Sequence, residues 1–182
     1  MKKNIKIIDN FLDKIIFKRL QDFLLGNNCP WFLNKSKIDP SLKSNSPIKG
    51  YESNDPHQFT HAFLRREHHT TWSNWTENIA SLLDKINPRV WIRIKSNLSS
   101  IHSEHLVGGW HCDQHVNDVA WKDTTTSIFY INTNNGYTLF ENGKKVSCLE
   151  NRLAIFPNNM MHTGVSQTDT KVKVTLNLNY LE

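Results

Sequence analysis

From Leu12 to Leu25 the apolar positions Leu12, Ile15, Ile16, Leu20, Phe23 and Leu24 recur every three or four residues. That spacing draws one face of an amphipathic helix. Asp9-Asn10 stands before it as a cap, and Gly26-Asn27-Asn28 after it as a stop. Ahead of it, Ile5 to Ile8 reads as a short strand. A second helix is predicted over Trp72 to Ile86, with Trp72, Trp75, Ile79, Leu82, Leu83 and Ile86 along one side and Pro88 closing it. Between the helices, Pro30-Trp31-Phe32 starts an extended aromatic piece. Residues 34–58 are rich in Ser, Asn, Pro and Lys and read as a long surface loop, a candidate lid. Phe59 to Leu64 is a candidate strand. Past Pro88 the period falls to two: Trp91 to Lys95 alternates, as does the stretch around His111. Thr124 to Ile131, Tyr137 to Phe140, Lys145 to Cys148, Arg152 to Phe156 and Val172 to Tyr180 follow as short runs. Asn134-Asn135-Gly136 and Glu141-Asn142-Gly143 punctuate them as turns.

Helices followed by about seven or eight short strands predict a mainly β fold with flanking helices, a jelly roll. The chain of 182 residues fits one domain over 1–182, with helical support over about 1–90 and the jelly-roll core over about 91–182. Cys29, Cys112 and Cys148 are odd in number and widely spaced, which suits free thiols in a reducing compartment and not a disulfide framework. No stretch has the apolar length of a membrane span, and the N-terminus lacks a signal-peptide core, so a cytoplasmic protein without a membrane partner is expected. The net charge of +5 is uneven. Residues 1–50 carry ten Lys/Arg against four Asp/Glu, while 51–110 balance six against six and 111–182 six against seven. A basic N-terminal part admits a nucleic-acid or acidic-protein partner, but a solvated surface is the favoured reading.

The candidate chemistry lies further on. His111 and Asp113 flank Cys112, and residues two apart in an extended strand share a face. With His162 they can form a facial set of two imidazoles and one carboxylate, which leaves open positions on Fe(II) for a co-substrate and dioxygen. His115 is the rival to His111, since it also shares a face with Asp113. The other six, His57, His61, His68, His69, His102 and His105, read as surface or loop residues. In the final strand Lys171, Lys173 and Thr175 point one way and Val172, Val174 and Leu176 the other. Arg65-Arg66 offers a grip for an acidic substrate, with a solvated loop as the default. Trp110 and Trp121 are candidate substrate contacts, with packing the favoured role.

Several pieces, in order, resemble the Fe(II)/2-oxoglutarate-dependent oxygenases, in particular the prolyl 4-hydroxylase-like branch with its small phage and bacterial members. They are Arg93 to Leu98, His111-Cys112-Asp113, Ile128 to Asn132, Gly136 to Phe140, Asn151 to Phe156, Met161 to Gly164 and the strand from Lys171 to Tyr180. Ile8 to Leu12 also looks like the family's N-terminal entry. The resemblance implies a double-stranded β-helix, the cupin-like jelly roll, with His111, Asp113 and His162 on Fe(II). It further implies 2-oxoglutarate as co-substrate, O2 as oxidant and ascorbate as a supporting reductant. Lys173 with Thr175 would meet the distal carboxylate, Lys171 being the alternative, and Tyr130 would add its hydroxyl; Asn97 would line the pocket. The implied reaction is hydroxylation of a C–H bond in a peptidyl substrate, prolyl by analogy, releasing succinate and CO2. A small-molecule substrate, a less favoured nucleic-acid substrate and a non-oxidative cupin-like metal protein remain as alternatives, and the oligomeric state stays open. The chain departs from the family pattern at Ser99-Ser100, where a Tyr is frequent, at Asn151, where Gly is common, and at Lys173, where Arg is commoner.

Overall fold

The computed structural model of the chain describes residues 4–37, 45–66, 69–116, 119–121 and 123–182. Strand β1 (Lys6–Ile8) leads into helix α1 (Lys14–Leu25). Strands β2 (Phe32–Asn34), β3 (Gln58–Arg66) and β4 (Thr70–Trp72) follow. A 3-10 turn at Thr76–Ile79 opens helix α2 (Ala80–Ile86), after which β5 (Val90–Ser100) begins the C-terminal strands. These are β6 (His115–Val116), β7 (Val119–Ala120), β8 (Thr125–Tyr130), β9 (Tyr137–Phe140), β10 (Lys145–Ser147), β11 (Arg152–Pro157), β12 (His162–Val165) and β13 (Val172–Leu181).

Eight strands make one antiparallel sheet in the order β1-β11-β8-β13-β5-β3-β2, with β4 paired to β3. Three more form a small sheet, β10-β9-β12. The N-terminal part is therefore more than helical support, since β1 to β4 all enter the large sheet. The expected lid gives β2 and β3 its two ends, and its residues 38–44 lie outside those described.

Strand β13 sits in the middle of the large sheet, paired with β5 on one side and β8 on the other. Its alternation explains the layering. Val174, Leu176, Leu178 and Tyr180 face the helices and belong to a core with Phe17, Leu20, Leu24, Leu82, Phe129 and Ile94. Lys173, Thr175, Asn177 and Asn179 face the opposite way. Each fully buried Leu or Phe in that helix-facing layer contributes roughly 1.5–3 kcal/mol.

Both helices differ from the predicted ones. Helix α1 is capped by Asp13, whose carboxylate accepts from the Ile15 N–H at 2.9 Å, and not by Asp9-Asn10. Its buried face is Phe17, Leu20 and Leu24, while Ile15 is 66% exposed. The apolar residues surround most of this helix, so spacing alone leaves its orientation open; the position of the sheet selects Phe17. The predicted helix over Trp72 to Ile86 is cut short because Thr70–Trp72 pairs with β3, leaving Trp72 and Trp75 on the surface. Asn87 ends α2 in the left-handed region at φ 44° and donates its N–H to Leu83. No helix among the described residues is long and apolar enough to cross a membrane.

Candidate active site

The segment before β6 is not a regular strand, yet it brings the two histidines together. Residues 107–111 run antiparallel to β12, bridging at Val107↔Val165 and His111↔His162. His111 and His162 exchange both backbone hydrogen bonds, at 3.1 and 3.0 Å. Asp113 lies two residues on, in a bend. The ligand atoms of His111, Asp113 and His162 all fall within 4.8 Å of one another.

Each imidazole is oriented by a carbonyl. His111 Nδ1 lies 2.8 Å from the Gly109 oxygen, and His162 Nδ1 lies 3.1 Å from the Met160 oxygen. A carbonyl can only accept, so Nδ1 carries a proton in both rings and Nε2 is the nitrogen turned toward Asp113. Those Nε2 atoms stand 3.9 and 3.8 Å from the two Asp113 oxygens. Asp113 Oδ1 accepts from Arg93 Nη2 at 2.9 Å, and Oδ2 accepts from the Asn177 and Asn179 amides at 3.0 and 3.2 Å. Three donors leave roughly one of a carboxylate's four acceptor directions for a cation. Burial disfavours the charged carboxyl, but His162, Arg93 and His111 beside it outweigh burial and hold Asp113 well below the usual range. Burial, with His162 as neighbour, pushes His111 down to about 4, so this ring is neutral and ready to ligate at physiological pH. A neutral His111, an ionised carboxylate and two imidazoles oriented by carbonyls fit a divalent metal.

The three residues close one end of a cavity of about 90 Å³ between the two sheets. Lys173, Thr175, Tyr130, Asn97 and Ser99 line the rest of it from the large sheet, and Thr138 and Gly164 line it from the small one. Lys173 is 7% exposed and its ammonium donates to the Val165 carbonyl. Burial lowers its pKa. Tyr130 is fully buried, and its hydroxyl meets Thr138 Oγ1 at 2.7 Å across the cavity. A second lysine enters from the segment after β2. Lys37 lines the same cavity, and its backbone N–H donates to Asp55 at 3.0 Å. Burial first, and the Lys173 ammonium second, push Lys37 down to about 7, with Asp55 opposing. Two glycines make room for these chains. A Cβ on Gly108 would stand 3.2 Å from Lys37 Nζ, and one on Gly136 would stand 3.1 Å from Lys173 Cδ.

The sequence matches no family model and no curated protein. Solved structures do match. A 2OG-Fe(II) oxygenase family oxidoreductase from Burkholderia pseudomallei aligns with a TM-score of 0.64 at 11% identity, over 97% of this chain and 84% of that one. A prolyl hydroxylase from Trichoplax adhaerens, in complex with a hypoxia inducible factor peptide fragment, aligns at 0.63 and 14% identity, over 99% and 84%. The viral collagen prolyl hydroxylase of Paramecium Bursaria Chlorella virus-1, in its 2OG complex, aligns at 0.57 and 15%, over 99% and 98%. This chain has the 2OG-Fe(II) oxygenase fold. At these identities the likeness speaks for the jelly-roll architecture, and the site's chemistry rests on its own geometry.

On that fold, His111, Asp113, His162, Tyr130, Lys173, Thr175 and Asn97 all line one cavity, while Lys171 is exposed. The facing of His111 and Asp113 arises from the bridge to β12 and the clamp on Asp113, not from strand alternation. His68 lies outside the described residues, as does the side chain of His115. His61 uses both ring nitrogens, on the Pro30 carbonyl at 2.9 Å and Ser73 Oγ at 2.8 Å, and is a packing residue. Trp110 is 3% exposed and packs with Leu139 and Val165, whereas Trp121 is on the surface. Sequence reasoning missed Arg93, Lys95, Asn177, Asn179 and Lys37. The two asparagines extend the polar face of β13 past Thr175, and Arg93 and Lys95 form the polar face of β5, so alternation carried their signal. Lys37 gave none.

Proposed function

We propose that the protein is an Fe(II)- and 2-oxoglutarate-dependent dioxygenase that hydroxylates a C–H bond of a peptidyl substrate, proline being the first residue to test. One observation carries this reading. A two-histidine, one-carboxylate cluster and a buried lysine occupy the same small cavity. A metal alone has no use for Lys173, whereas a dicarboxylate co-substrate does.

With Fe(II) and 2-oxoglutarate bound, the chemistry supplied is oxidative decarboxylation by O2 to succinate and CO2, the second oxygen atom entering a substrate C–H bond. His111, Asp113 and His162 would hold the metal, and the Gly109 and Met160 carbonyls keep the imidazoles turned inward. Arg93, Asn177 and Asn179 fix the carboxylate so that it need not reorganise when the metal arrives. Lys173 would meet the far carboxylate of 2-oxoglutarate, with Thr175 and the Tyr130 hydroxyl as hydrogen-bond partners and Lys37 as a second cation. Lys173 and Lys37 supply positive charge at one end of the cavity, where a carboxylate offsets their repulsion and desolvation. Asp113 also distinguishes this site from related halogenases, which lack the carboxylate.

The test is anaerobic titration of the protein with Fe(II) and then 2-oxoglutarate, followed by the weak visible charge-transfer band. The band should form in the wild type, vanish in His111→Ala and weaken in Lys173→Ala. Absence of the band alongside tight zinc binding would sink the oxygenase reading and leave a non-oxidative cupin-like metal protein.

A further inference from the structure

A second cavity, of about 420 Å³, adjoins the first. Lys95 and Asp113 line both, so the two communicate at the carboxylate of the ligand set. Its other charged walls are Arg65 and Arg66, at the exposed end of β3, and Arg93 from β5. Asp113 is the one acidic residue among the described residues lining it, and that carboxylate is already engaged by Arg93 and two asparagine amides. Arg93 is spent on Asp113, Asn177 and Asn179. Arg65, Arg66 and Lys95 are left lining one space with no acid of their own among the described residues. The Lys95 ammonium makes no hydrogen bond to a described residue. Three cations gathered in one recess repel each other unless an anion joins them.

We infer that this groove receives an anionic group of the substrate, a carboxylate or a phosphate, carried by a peptide next to the residue that is oxidised. The inference rests on the dioxygenase reading for the meaning of "next to": Lys95 and Asp113 put the anion site and the metal ligands on a shared wall. A peptide fits better than a nucleic acid. A nucleic-acid strand presents a charge about every 3.4 Å and calls for cations strung along a track, whereas these three line a single recess. The groove also takes Asn34 from β2, the terminal strand of the large sheet, beside which an extended peptide can lie. Arginine at the rim suits either anion, because its planar fork binds carboxylate and phosphate in two-point fashion.

The experiment uses the full chain loaded with Fe(II) and 2-oxoglutarate under anaerobic conditions. Fluorescein-labelled peptide pools with a central proline carry Glu, phosphoserine, Gln or Lys at each neighbouring position. Anisotropy titrations should find the Glu or phosphoserine pools bound at least tenfold more tightly than the Gln pools. Whichever of the two is favoured names the anion. The preference should collapse in the Arg65→Ala/Arg66→Ala variant, and Arg65→Glu/Arg66→Glu should turn it toward the Lys pools. Both substitutions are at exposed positions, and retention of the charge-transfer band certifies the fold of each variant. Equal binding of acidic and neutral pools, or a preference that survives in the double variant, would overturn the inference. So would an oligonucleotide that binds in an Arg65/Arg66-dependent way while every acidic pool fails. None of these outcomes touches the charge-transfer band, so a failed groove and a failed oxygenase reading are told apart.

Discussion

Replacing Lys37 with Met should strip most of the pH dependence from 2-oxoglutarate binding. Burial and Lys173 hold Lys37 near pKa 7 in the ligand-free protein, against an ordinary 10.5. A carboxylate placed against the ammonium favours its charged form, so above pH 7 binding must draw a proton from solvent. About nine-tenths of molecules carry that proton at pH 6 and about one in a hundred at pH 9, so the apparent Kd should climb by up to about a hundredfold across that interval. The climb stops where the contribution of Lys37 is exhausted. A charged hydrogen bond contributes about 1.5–3 kcal/mol, which is about 10- to 150-fold in affinity. Wild type and Lys37→Met should therefore differ by that factor at pH 6 and converge at pH 9, any remaining slope in the variant belonging to Lys173. Anaerobic calorimetry in buffers of different ionisation enthalpy counts the proton directly, approaching one per 2-oxoglutarate above pH 7. Parallel pH curves for the two proteins, with no proton uptake, would refute the reasoning. So would unchanged affinity at pH 6.

Other perturbations separate orientation, packing and backbone strain. Asn177→Ala removes one of the amides on Asp113 Oδ2 and should weaken Fe(II) binding 10- to 100-fold by metal titration, with little change in the thermal midpoint. Tyr130→Phe leaves Thr138 without its 2.7 Å partner and should raise the Kd for 2-oxoglutarate about tenfold, while the affinity for pyruvate, which lacks the distal carboxylate, stays put. Phe129→Ala empties a fully buried site between the edges of Phe11 and Phe17, whose ring centroids stand 6.2 and 6.0 Å away. It should cost about 3–5 kcal/mol in denaturant unfolding. Asn151 sits at φ 59° and clamps Leu12 through both its N–H and its carbonyl, each at 2.8 Å. Asn151→Gly should keep the backbone shape and lose the two bonds, so Asn151→Ala should unfold at lower denaturant than Asn151→Gly.

The alternation of β13 was readable because its two faces meet different environments, helices on one side and the cavity on the other. Alternation put Lys173 and Thr175 on the polar face but left Lys171 there beside them, and burial separates the two lysines; Asn177 and Asn179 lay one step further along the same rule. Asn151 drew notice as a departure from glycine, and its positive φ accounts for both residues at that position. Helix α1 was legible as a helix but not in its orientation, since Ile15 and Ile16 fit the spacing as well as Phe17 does. Trp72 and Trp75 imitated a helix face because pairing of Thr70–Trp72 with β3 is a contact between segments, invisible in a local window. The union of His111 with His162 depends on a two-bridge pairing across some fifty residues, and only their order along the chain hinted at it. Lys37 belongs to the same class of long-range placement, with no periodic pattern around it.

The place of β13 bears on how the protein is made. Every other strand among the described residues precedes it in chain order, yet it fills the slot between β5 and β8. While the chain is being synthesised, the large sheet can exist only as two separated halves, β1-β11-β8 and β5-β3-β2, each with a bare edge. The pairing of His111 with His162 needs only strands already present, but Asp113 lacks its asparagine anchors and the cavity lacks Lys173 until the last strand closes the gap. One strand thus supplies both the anchors of the candidate metal carboxylate and the buried cation of the cavity, so neither can be completed without the other.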